Sequence, residues 1–127
     1  MASELPQLTA DQLAKCQAAQ IVSKDDGQTF TKPTLMKVRN SLGPHYTGSG
    51  LNHGIEIQNG PHAGRLAYAM RFDCSPGGAG GADYMRAYVL YSDDQGQSWT
   101  AGQLLPAGWT EDQVAEMKNG SLIMTSR

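Results

Sequence analysis

The alternation of apolar and polar positions is clearest in the middle of the chain. Across 65–72, Leu66, Tyr68, Met70 and Phe72 fall on one face, and Ala67, Ala69 and Arg71 on the other. Successive strand residues point to opposite faces, so this period of two predicts a strand with one bulky face and one small face. Ala87-Tyr88-Val89-Leu90-Tyr91 is apolar at every position, as a strand buried between two layers is. Ile55-Glu56-Ile57 alternates again, and Asn59-Gly60 supplies a turn. The pattern therefore places antiparallel strands at about 54–58, 65–72, 85–91 and 99–105 in one twisted sheet. Residues 73–83, rich in glycine and holding Pro76, form a long hairpin loop.

Flanking segments are shorter. Residues 114–117 and 122–126 read as a hairpin that opens a further sheet. Ala19-Gln20-Ile21-Val22 reads as a short strand, and 30–38 as the outer strand of the same unit, with Pro33 tolerable only near an edge. Glycines in 40–53 let the backbone turn from one unit to the next. Before them, Thr9 stands three residues ahead of Gln12, amid Leu5, Leu8, Leu13 and Ala14. That arrangement fits a capped short helix over 5–19, or equally a surface insertion or a frayed end.

Two octapeptides interrupt the strands. Ser92-Asp93-Asp94-Gln95-Gly96-Gln97-Ser98-Trp99 follows S-x-D-x-G-x-[ST]-[WF], and Ser23-Lys24-Asp25-Asp26-Gly27-Gln28-Thr29-Phe30 follows it at every fixed position. A short carboxylate accepts hydrogen bonds from backbone N–H groups just downstream, and glycine supplies the positive φ that closes such a turn. Asp25 and Asp94 are the expected acceptors, Gly27 and Gly96 the expected left-handed residues. Phe30 and Trp99 are aromatic anchors at the start of the next strand. Two full matches, each after an apolar stretch, indicate an internal repeat of four-stranded units.

Composition narrows the function classes. The chain has 127 residues and a formal charge of −2, which bounds it at one domain or a piece of one and argues against a basic nucleic-acid grip. No apolar run approaches the length of a membrane span. Met1-Ala2-Ser3-Glu4 lacks the basic and apolar regions of a secretory signal, and localisation stays open. Cys16 and Cys74 lie far apart without metal-ligand spacing and read as free thiols. His45, His53 and His62 fall in loops, also without metal spacing, so no metal or cofactor is expected.

The octapeptide is the Asp-box, or BNR repeat, and the chain resembles the sialidase (neuraminidase) superfamily of six-bladed β-propellers. Glu111-Asp112-Gln113-Val114-Ala115-Glu116-Met117-Lys118-Asn119-Gly120, followed by Arg127, is similar to the sialidase stretch E-x-Q-V-x-E-x-x-x-G that leads to a strand ending in an active-site arginine. The resemblance covers most of 20–127. It implies an all-β fold, a partial six-bladed propeller: one complete four-stranded blade plus two half blades, over 1–127. A closed ring would need roughly 24 strands at four per blade, so the chain reads as a piece of that domain.

The implied activity is exo-α-sialidase: a retaining glycosidase that releases terminal sialic acid from glycoproteins, oligosaccharides or gangliosides. Sialidases use a tyrosine nucleophile. A phenol with a pKa of about 10 needs an adjacent base at neutral pH. By resemblance Glu111 is that base, paired with a tyrosine from a later blade. Sialic acid carries a carboxylate on its anomeric carbon, which guanidinium forks match bidentately. By resemblance Arg127 is the middle of three such arginines. The other two arginines, the aspartate acid/base and the tyrosine have no match here, so the chain by itself should hydrolyse nothing.

The remaining candidates carry two readings each. Glu116 shares a strand face with Val114 and either braces an arginine or faces solvent. Tyr68 and Met70 line a pocket or, as the stripe suggests, fill the core. Arg71 and Arg86 read as surface or blade-edge charges. Expected partners are sialylated glycans. The alternative reading is a non-catalytic Asp-box propeller that binds glycan or protein, and a trans-sialidase is a third. A pure binding propeller has no reason to carry the 111–127 signature.

Overall fold

The computed structural model describes residues 18–39, 52–72, 86–106, 108 and 111–126. They form strands β1 (Ala19–Gln20), β2 (Thr34–Leu35), β3 (Val38–Arg39), β4 (Ile55–Glu56), β5 (Leu66–Phe72), β6 (Arg86–Ser92), β7 (Trp99–Ala101), β8 (Gln113–Glu116) and β9 (Leu122–Thr125). Among the described residues there is no helix, so the all-β expectation holds. The helix expected over 5–19 and the glycine-bearing loops around 40–51 and 73–85 lie outside the described residues.

A five-stranded sheet, β3-β7-β6-β5-β4, forms the body, and the pairs β1-β2 and β8-β9 flank it. No sheet closes on itself. β4 to β7 pair antiparallel as the apolar pattern requires. The β5–β6 register runs from Leu66 opposite Ser92 to Phe72 opposite Arg86. That register puts Tyr68 beside Leu90 and Met70 beside Tyr88 on one face, and Ala69 beside Val89 on the other. Met70, Tyr88 and Leu90 are buried, with Ala18, Met36, Val38 and Trp99 packed against them. Met70 is therefore core, and Tyr68 packs on its edge.

On the opposite face alanines alternate across the strands with Tyr91, Val89 and Arg71. Ala67, Ala69 and Ala87 are fully buried, as are Ile57 and Val114. β8 lies against β5 and β4 there. Alanines let two backbones approach closely, which is what the small face of 65–72 predicted.

Two strand expectations are corrected. Residues 30–38 do not form one outer strand: Thr34–Leu35 pairs with β1, and Val38–Arg39 crosses to run parallel beside β7, with Val38 opposite Trp99. The crossing is favoured because it sets Val38 on the Tyr88–Leu90 core and pairs an edge, through Trp99 N–H to the Lys37 carbonyl at 2.8 Å. The complete unit thus has a fifth, borrowed strand. The fourth strand also stops at Ala101 rather than 105. Gly102 N–H still donates to Val89 O at 2.8 Å and Leu105 N–H to Ala87 O at 2.9 Å. Three steps along this segment thus match two along β6, the signature of a bulge.

Both octapeptide turns fold as expected. Gly27 and Gly96 have φ of 84° and 82°, and Asp25 and Asp94 accept the N–H of Thr29 and Ser98 at 2.9 and 2.8 Å. In each, the serine hydroxyl donates to the aspartate and accepts the glycine N–H, at 2.8 Å for Gly27 and 2.9 Å for Gly96. Each Asp holds so many donors, first the hydroxyl of Thr29 or Ser98, that its carboxyl is lowered to about 2. The residues before the glycines, Asp26 and Gln95, are also left-handed, at 55° and 59°.

Candidate functional site

The site is built on the β8–β9 hairpin. Along 111–116 the period of two sends Asp112, Val114 and Glu116 inward, and leaves Glu111 and Ala115 exposed. The hairpin register sets Gln113 opposite Thr125 and Val114 opposite Met124. Asn119-Gly120 closes it: Gly120 has φ of 81° and donates its N–H to Met117 O at 2.9 Å.

The closing turn rests on a second Asn-Gly turn. A Cβ on Gly120 would stand 2.6 Å from the Asn59 carbonyl oxygen, so only glycine admits this approach. Glu116 fastens the contact. Its carboxylate accepts the N–H of Gln58 at 2.8 Å and of Asn59 at 2.7 Å, plus the Asn59 side-chain amide at 3.1 Å. These donors hold its carboxyl below the usual range, led by Gln58 N–H. Glu116 thus ties β8 to the turn between β4 and β5 rather than sitting idle in solvent.

The other end of β8 holds a buried carboxylate. Asp112 is only 3 % exposed, one residue from exposed Glu111. Its Oδ1 accepts the Ser126 hydroxyl, and its backbone carbonyl accepts the Asn52 side-chain amide. Asn52 Nδ2 also donates to Ala69 O on β5 at 3.0 Å. Asp112 Oδ2 has no hydrogen-bond partner among the described residues. Burial pushes the Asp112 carboxyl up, against the opposing pull of the Ser126 hydroxyl and the Arg71 charge.

Arg71 and Arg86 are half-buried near the ends of β5 and β6, each with a guanidinium Nε shut off from solvent, so of the two expected placements the blade edge fits and the open surface does not. Tyr68 donates its hydroxyl to Asn52 O at 3.4 Å, and its ring lies where a Cβ on Gly54 would approach to 2.8 Å. It packs rather than lining an open pocket. His53 and His62 are exposed. Arg127 and His45 lie outside the described residues, as do both cysteines. Among the described residues no group of His, Cys, Asp and Glu could hold a metal ion. None of their helices is long and apolar enough to cross a membrane.

Asn52, Asp112 and Ser126 were not candidates on the sequence. Parity could have found Asp112: it stands two residues before Val114, so a strand that buries one buries the other. Ser126 faces it across the same hairpin, whereas Asn52 reaches it from a distant segment, and local pattern holds no sign of that.

No family model matches the chain. A sialidase of Micromonospora viridifaciens is 31% identical over 106 residues, 83% of this chain and 16% of that protein. A sialidase of Paraclostridium sordellii is 28% identical over 113 residues, 84% of this chain and 26% of that protein. The chain spans about a quarter or less of these curated relatives. Over most of its length, then, it is related in sequence to a part of sialidases.

Proposed function

We propose that this chain is part of the propeller domain of an exo-α-sialidase, with Asp-boxes at 23–30 and 92–99 and the Glu111–Arg127 segment as one wall of its active site. The observation that carries the reading is the β8–β9 register. Gln113 pairs with Thr125; continued outward, that register sets 112 opposite 126 and would set 111 opposite 127. The Asp112–Ser126 hydrogen bond supports the first step. The proposal needs Glu111 and Arg127 to meet at that end of the hairpin, since paired residues share a face. A carboxylate base and a guanidinium at one hairpin end are what the reaction asks of this segment. Glu111 would take the proton of a tyrosine contributed from elsewhere, and Arg127 would hold the substrate carboxylate.

Both act on one substrate together with groups that this chain has no match for, so the chain alone should show almost no rate. The substrate would be a terminal sialoside of a glycoprotein, oligosaccharide or ganglioside. A fluorogenic sialoside assay on the 127-residue chain and on the longer protein the reading requires tests it. Turnover by the longer protein alone is expected. Turnover by the chain itself contradicts the division of catalytic groups, and an inactive longer protein favours a non-catalytic glycan- or protein-binding propeller.

A further inference from the structure

The inward face of 112–116 is filled by three different devices. Glu116 ties one end to the Gln58–Asn59 backbone. Val114, in the middle, is 1 % exposed and packs. An apolar residue at 112 would extend that packing, yet the position holds a buried carboxylate with one oxygen undonated among the described residues. What Asp112 does instead is join three elements. Its carbonyl takes the Asn52 amide that also grips Ala69 O of β5, and its Oδ1 takes the hydroxyl of Ser126, just past the end of β9. The residue next to Glu111 is thereby held twice, through its backbone carbonyl and through its side chain.

We propose that Asp112 is a positioning residue: with Asn52 and Ser126 as anchors, it fixes Glu111 against the strand end that leads to Arg127. Glu111 is exposed and stands two residues before β8, which begins at Gln113, so Asp112 is the residue that joins it to the strand. A base displaced by about 1 Å can lose of the order of a hundredfold in rate. Hence the clamp matters to turnover more than to folding. The inference rests on the sialidase reading of Glu111.

The test has two arms. In the longer protein, kcat and KM for a fluorogenic sialoside are measured for Asp112→Ala, Asp112→Asn, Ser126→Ala and Ser126→Thr, with Val114→Ala as the packing control. Asn keeps an acceptor and Thr keeps a hydroxyl. Asp112→Ala and Ser126→Ala should lower kcat per folded molecule by about tenfold or more, and the two conservative variants should stay within about threefold. Val114→Ala should lower the unfolding midpoint with kcat per folded molecule unchanged. An Asp112→Ala enzyme with wild-type kcat, or one losing activity only in step with its folded fraction, overturns the proposal. The second arm needs no activity: amide hydrogen exchange at 111–113 and 126 in the chain. Exchange should speed up in Asp112→Ala and stay slow in Asp112→Asn. Equal exchange in the two variants overturns the clamp whatever the enzyme does, whereas an inactive wild type with intact protection sinks only the sialidase reading.

Discussion

The two octapeptide turns have the same hydrogen bonds and opposite surroundings. In both, serine, aspartate and glycine close the same ring of contacts, and both glycines stand near φ of 80°. Yet Phe30 of the first turn is 57 % exposed, and nothing lies within 4 Å of a Cβ built on Gly27. In the second, the Trp99 ring folds back over Gly96, with Cζ2 3.6 Å from where its Cβ would be. Gln20 then locks it, accepting Trp99 Nε1–H and donating to Gly96 O, both at 3.0 Å. The turn is thus a self-contained unit, and the aromatic anchor works only where a neighbouring sheet receives it. The residue that receives Trp99 comes from β1, the strand that leads into the first turn.

Removing the anchors should break the symmetry most. Trp99→Ala opens a hole beside Tyr88 and Leu90 and should cost about 3 kcal/mol or more. Phe30→Ala changes an exposed ring and should stay within about 0.5 kcal/mol. Denaturant midpoints of the two variants check this, and equal losses would mean that the first turn is received by a surface like the second. Next in size is Gln20→Ala, which removes two bonds to the second turn and should cost about 1–2 kcal/mol. A double-mutant cycle with Trp99→Ala should show strong coupling, because the two share one contact. Additive losses would separate them.

Acid should act on both turns alike. Asp25 and Asp94 are each lowered from 3.8 to about 2 in the fold, chiefly by the hydroxyls of Thr29 and Ser98. A depressed carboxyl contributes stability that is present above its unfolded value and lost as pH falls through its folded one. Stability should therefore decline between about pH 4 and pH 2. Asp112, raised by burial, runs the other way and offsets part of that loss. Thermal midpoints against pH should show a shallower acid limb in Asp25→Asn and in Asp94→Asn, by similar amounts. Unequal slopes would show that burial, rather than the shared hydroxyl and backbone donors, sets the shift.

What could be read from the chain follows from how local each cause is. The period of two over 66–72 and the fully apolar 87–91 located the central strands because parity and burial act residue by residue. The D-x-G turns were legible for the same reason, down to the sign of φ at the glycines. The left-handed Gln95 was not, since glutamine has no local preference for that region and the closed turn around it sets the backbone. The parallel seat of β3 depends on Trp99, far along the chain, so no window around Val38 contains it. Asp112 was legible from parity, since it stands two residues before Val114 and faces the same way.

The central claim, that the 111–127 hairpin supplies a base and a carboxylate-binding arginine to a sialidase site, is tested most directly by steady-state kinetics. Wild type, Glu111→Gln and Arg127→Ala forms of the longer protein should be compared on one fluorogenic sialoside. Glu111→Gln keeps shape and removes the base, so kcat should fall by about 100-fold or more while KM moves little. Arg127→Ala loses a charge-assisted fork, so KM and the affinity for a transition-state analogue should suffer, by several kcal/mol in the analogue. Wild-type kcat in Glu111→Gln, or unchanged analogue binding in Arg127→Ala, would contradict the account.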